Sequence, residues 1–571
     1  MTRLLIPALA LLLAACGGDA DRDADRQDGL ETVDTAAPQR VAEVPVDAAL
    51  AADLLARIDA ETAKLWLSLE PMPEALLDQI WSAIAGMEDQ MDQDFAEMAE
   101  NIDDPLVQSL WKELGQLTSP EGYAERGIDP NGMAAIHMMA IYPVFHWQLS
   151  DAEAFAAMLA RVESEAETPF TRRSIGDEEL IWIDMDRFGL ALHHDQHFMT
   201  AGLVADREDL LRRVANLDQA PNPLQRAQVD AFARQRGLRQ DSFGFVDFDR
   251  LLAVLLDGED ELLVQVRADT PLGQVAEDAA CRRELGQLVR LFPRKSYGNT
   301  DVTASSISMK LTVESEPEFG RRMSSLADSP LSLAGDRSAL MSLGVALNLV
   351  AARDFGRQVV GGWVEAPPRC FLFDNIAENA AQWQLALNRP IPPVVTNIHG
   401  VRMRVTALDM NDTENPGMGT VALFMRNPQM LIGMAQMFSP ELAALDLRPG
   451  GAPQPVPSDM IPQLAGVPAW LGLSETGLGL AVGEGQDSAL PAALTAGSAD
   501  SAILSFGMDV AAYAEVIAMS LANLPGQAAD FDAAETAEAM AVLSSFYRYM
   551  ASSLHLSESG IEVRLTMDLA D

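Results

Sequence analysis

A chain of 571 residues that is 48% hydrophobic has material for large cores and a length worth three or four folding units, although only 6% of it is aromatic. Its 84 acidic residues against 40 basic ones leave a formal charge of −44. So acidic a body repels nucleic acid and anionic lipid headgroups, which excludes both as expected partners, and its scattered carboxylates suit a solvated surface in salty surroundings.

The chain opens on MTRLLIPALALLLAACGG, in which Arg3 precedes an apolar run that ends in small residues and a cysteine. The run is too short to span a bilayer, which takes roughly 20 apolar residues as a helix, and Pro7 interrupts it, so the stretch reads as an export signal. Leu13-Ala14-Ala15-Cys16 resembles the lipobox of bacterial lipoproteins. That resemblance implies that residues 1–15 are a cleaved signal peptide and that Cys16 carries the lipid, a palmitate-type anchor that makes the membrane a partner. Gly17 and Gly18 supply no acidic residue after the cysteine, which favours the outer membrane over inner-membrane retention, with the body facing the periplasm. Beyond this segment the body resembles only large envelope lipoproteins of unassigned activity. Residues 16–46, rich in Asp, Arg, Ala and Gly, form a flexible acidic tether with an r.m.s. reach of about 30 Å.

The body divides, on this reading, into a first α+β half over 47–330 and a second over 331–571. Leu65 to Leu69 alternates with the strand period, and Pro71 and Pro73 then lead into a helical pattern through Leu76, Leu77, Ile80 and Ile84. Three further strands share Ser-[Phe/Leu]-Gly and close on Asp or Asn where a helix cap is useful: Ser242 to Asp247, Ser342 to Asn348 and Ser505 to Asp509. The Ser242 and Ser505 units are each followed by helices and then a strand pair, near 297–314 and 553–565, which suggests an internal duplication. Between Met133 and Val204 the chain reads mainly as strands. The expected fold class is α+β, with antiparallel sheets, helices packed on one face and repeated strand-helix units.

With Cys16 assigned to lipid, Cys281 and Cys370 remain as a pair for one structural disulfide in an oxidising compartment, worth roughly 4 kcal/mol on the chain-entropy model. The one dense histidine cluster is His193-His194-Asp195-Gln196-His197, with Asp184 and Asp186 upstream. If a hairpin brings His193, His194 and His197 together, imidazole and carboxylate suit zinc, copper or nickel; otherwise the segment is a solvated turn. Met430, Met434 and Met437 recur on one helical face, which reads as adaptable core packing or as the lining of an apolar groove. Met87, Met91 and Met98, continued by Ile84, Phe95 and Ile102, read as a core stripe. No G-x-x-x-x-G-K-[ST], H-E-x-x-H or G-x-S-x-G is present, and Gly477 to Gly483 reads as strand and turn. No catalytic residue or cofactor is therefore assigned. The expectation is a lipid-anchored, non-enzymatic envelope protein that binds an envelope partner or an apolar ligand. The alternative is a hydrolase or metal-dependent enzyme of another type, centred on the three histidines.

Overall fold

The computed structural model describes residues 46–85, 95, 98–99, 102–185, 187–327, 337–408, 417–457, 460–461, 466–496, 502–522 and 543–570. The expected signal peptide, Cys16 and most of the expected tether lie outside them, as do Met87, Met91 and Asp186. The chain forms two compact units, residues 1–311 and 312–570. Among the described residues, no helix is long and apolar enough to cross a membrane.

In the first unit the strands are β1 (Lys64–Ser68), β2 (Ala134–Met139), β3 (Tyr142–Gln148), β4 (Thr171–Ile175), β5 (Glu178–Asp184), β6 (Gly189–His194), β7 (Phe198–Val204), β8 (Phe243–Asp247) and β9 (Arg294–Val302), with β10 (Ser306–Glu314) beside β9. From β4 to β9 they pair antiparallel in the order β4-β5-β6-β7-β3-β2-β1-β8-β9. Helices cover both faces. Trp66, Ile136, Ile181 and Leu192 pack on one side beneath α2 (Pro105–Gly115) and α3 (Ala152–Glu165), through Leu106, Phe155, Met158 and Leu159. On the other, Leu65, Leu67, Phe198 and Phe243 pack beneath α1 (Ala48–Ala56) and α5 (Arg226–Arg236), and Val144, Leu180 and Trp182 beneath α4 (Glu208–Val214).

The second unit contains β11 (Met341–Ala346), β12 (Ile398–Leu408), β13 (Gly417–Met425), β14 (Gln454–Pro455), β15 (Ala469–Leu473), β16 (Gly477–Val482), β17 (Ala502–Asp509), β18 (Tyr547–Ser557) and β19 (Gly560–Leu569). Their antiparallel order is β14-β15-β16-β13-β12-β11-β17-β18-β19. Once the extra edge strand β4 is set aside, this is the permutation of the first unit: the first strand is central, the second and third extend one way, and the strand after the hairpins returns to the first strand's free side. A nine-strand permutation shared in chain order is the mark of an internal duplication.

Local features repeat with it. Asp151 caps α3 after β3, and Asn427 caps α6 (Pro428–Phe438) after β13. Asp247 caps the helix after β8, and Asp509 accepts from the Ala512 amide after β17. The Ser-Phe-Gly strands β8 and β17 occupy equivalent places. In each, a tyrosine lies over the glycine: a Cβ on Gly244 would collide with the Tyr297 hydroxyl, and one on Gly507 with the Tyr549 hydroxyl. The third copy of the pattern, Ser342-Leu343-Gly344, is not a third repeat, because it lies on β11 and so corresponds to β1.

Cys281 and Cys370 are both disulfide-bonded and fully buried. The second unit's core is small and alanine-rich, with Ala346, Ala422, Phe424, Ala481 and Ala502 packed against Leu490 and Leu494, where the short helix α7 (Leu490–Ala493) sits.

Candidate functional site

Side chains alternate across a strand, so the pairing register of the second unit states which residues share its two faces. The face packed on Leu490 and Leu494 carries small residues: Gly472, Gly479 and Ala422 stand side by side on β15, β16 and β13, so α7 approaches closely. The opposite face carries large apolar residues in two transverse rows. One begins with Leu473, Leu478, Leu423 and Val401 and continues through Val345, Leu504, Leu554 and Val563. The other begins with Leu471, Leu480, Val421 and Met403 and continues through Leu343, Phe506, Ser552 and Leu565. Of these sixteen positions only Ser552 is polar, and none is charged.

These rows are open to solvent. Leu343, Val345, Val401, Val421, Leu504 and Val563 are between 36% and 42% exposed, the remainder are half-buried, and only Leu473, near the β15 edge, is buried. Hydrocarbon left in water forgoes about 25 cal/mol per Å², and single domains rarely leave a contiguous apolar patch of several hundred Å² without a use for it. Helix α6 adds a second apolar surface: Met430, Met434, Met437 and Phe438 are 43%, 45%, 74% and 85% exposed, whereas Pro428 and Ile432 face inward. The methionine stripe is therefore not core. Its spacing defines one side of a helix that has no charge on any side, so periodicity did not reveal which side is buried.

The register-equivalent face of the first unit is covered and chemically inverted. Where the second unit places Met403, Val421, Leu480 and Leu471, the first places Ala135, His146, Thr200 and His193. His146 Nδ1 lies 3.0 Å from Thr200 Oγ1, and its Nε2 is 3.2 Å from Nε2 of His137, with the two rings stacked. His193 Nε2 reaches Glu178 at 3.5 Å. Burial, reinforced by the Arg213 charge, pushes His137 down to about 3. Burial, with His137 and Arg57 adding to it, holds His146 well below the usual imidazole range. Burial also lowers His193, against the raising effect of Glu178. Neutral imidazoles thus share one hydrogen between facing nitrogens, an internal polar seam.

The expected histidine cluster does not assemble. Strand alternation sends His193 to the seam and His194 to the opposite face against Phe155, while His197 is exposed in the turn beyond β6. Asp195 is held by Arg57 at 2.8 Å and by the amides of His197 and Phe198. Among the described residues, no group of three or more His, Cys, Asp or Glu stands close enough to hold a metal ion. Sequence reasoning missed the pair His137 and His146. Its signal was a tight hairpin between two alternating strands, with the histidines at diagonal positions on one face.

No protein-family model and no curated protein matches the chain. A solved structure, crystal form III of TP0453, is similar over 49% of this chain and 89% of that chain, at 8% identity and a TM-score of 0.24. At that level the likeness assigns neither fold nor function.

Proposed function

We propose that this is a lipid-anchored, non-enzymatic envelope protein whose second unit holds an apolar ligand on its uncovered sheet face. The observation that carries the reading is the pair of transverse rows, uncharged across eight strands and with six of their sixteen side chains exposed. The export signal and the lipobox-like Leu13–Cys16 support the envelope location, and the glycines after Cys16 favour the outer membrane with the body in the periplasm. An acidic tether and an acidic body keep the face off anionic headgroups, so the anchor confines the protein without pressing the sheet onto the bilayer.

The uncharged, polarity-sensitive dye Nile red tests the reading. Full-length chain carrying Cys16→Ser leaves the membrane fraction and brightens the dye, and Val421→Glu abolishes the brightening without moving the melting temperature. Equal brightening in the Val421→Glu chain refutes the face as the binding surface.

A further inference from the structure

We infer that the furrow between the two rows takes the acyl chain of a lipid, laid across the strands. This rests on the apolar-ligand reading above and adds the chemical class of the ligand. Eight strands at about 4.8 Å spacing make each row about 34 Å long, and rows two residues apart along a strand stand about 7 Å from each other. A single hydrocarbon chain fits between such ridges. A chain that spans one bilayer leaflet, about 15 Å, fits well within the length.

The face argues against a protein occupant. Interfaces carry about one hydrogen bond per 100–200 Å², yet Ser552 supplies the only side-chain hydroxyl among the sixteen positions. A protein seated here would desolvate its own polar groups without replacement partners, whereas a hydrocarbon has none to lose. The sixteen positions cover about 34 by 14 Å, roughly 480 Å², short of the about 800 Å² that each partner contributes to a standard interface. A second copy would also bring the same charge of −44. That repulsion opposes pairing, and an uncharged chain escapes it.

The test is displacement of Nile red from full-length chain carrying Cys16→Ser, so that no anchor competes, by octanol, decanol and dodecanol. The expected result is a gain in affinity of about fourfold per added methylene, lost in both Val421→Glu and Leu504→Glu and retained in Leu385→Glu, a helix position 71% exposed outside the face. Val421→Thr, nearly the same shape, weakens dodecanol several-fold and stands in where a glutamate variant does not fold. Dye binding that Val421→Glu removes but that shows no dependence on alcohol length overturns the acyl assignment and leaves the apolar face in place. Dye binding indifferent to both glutamates overturns both readings. A ligand-free dimer in sedimentation, split by Val421→Glu, gives the face to a second copy and overturns the acyl assignment.

Discussion

The two units share a strand permutation and differ in what they do with the same face of it. In the first, α1, α4 and α5 lie over that face, and the positions beneath them include His146, Thr200 and His193. In the second, the corresponding positions are Val421, which is 42% exposed, and Leu480 and Leu471, which are half-buried. Polar residues are buried where cover exists, and apolar ones are exposed where it does not, the reverse of what solvation alone selects. The permutation is therefore compatible with a closed and an open face, so the open one is not a demand of the fold. An uncovered hydrophobic face in a duplicated scaffold points to use.

Substitution at equivalent positions sharpens the contrast most. Phe243, 1% exposed, and Phe506 occupy the same place beside Leu67 and Leu343. Phe243→Ala should destabilise by about 3–5 kcal/mol, and Phe506→Ala by only about 1 kcal/mol, in urea unfolding followed by circular dichroism. Equal losses would mean that the two faces are equally buried.

Acid should separate the units next. His137 titrates near 6.5 in the unfolded chain and near 3 when folded, so its contribution is fully present above pH 6.5 and is lost as the pH falls toward 3. By pH 4 that amounts to about 3 kcal/mol from His137, with His146 acting in the same direction. His399 in the second unit is also lowered, by burial and Arg426, but it is only partly buried and contributes less. Replacing His137 with Gln should flatten the dependence of melting temperature on pH between 6.5 and 4; an unchanged slope would remove the seam from the account.

Smaller effects separate a buried polar group from an exposed apolar one. Thr200→Val strips His146 of its Oγ1 partner and should cost about 1–2 kcal/mol. At the equivalent position Leu480→Val should stay within about 0.5–1 kcal/mol, and Val345→Glu within about 0.5 kcal/mol while weakening dye capture. Thermal melts of the three variants check the ranking.

Much of the fold was legible because it rests on local signals. The Ser-Phe-Gly strands with their capping aspartates, the strand pairs near 297–314 and 553–565, and the alternation at Leu65 to Leu69 all mark real elements. The open face was not legible, for a physical reason. β13 reads Gly-Met-Gly-Thr-Val-Ala-Leu-Phe-Met and β16 reads Gly-Leu-Gly-Leu-Ala-Val, apolar on both sides, and a strand of that kind ordinarily lies between two layers. The clue was size rather than polarity: Gly479, Ala481 and Ala422 alternate with Leu478, Leu480 and Val421, the small side meeting Leu490 and Leu494. The histidines misled because adjacency in sequence along a strand means opposite faces, whereas His137 and His146, nine residues apart, meet across a hairpin.

Hydroxyl-radical footprinting of full-length chain carrying Cys16→Ser tests the central claim most directly, because it reads side-chain access to water at both faces in one sample. Leu343, Val421 and Leu504 should be oxidised readily while Leu67 and Phe243 stay protected, and added dodecanol should protect the first three only. Protection of Leu343, Val421 and Leu504 equal to that of Phe243 in the ligand-free chain would contradict the account.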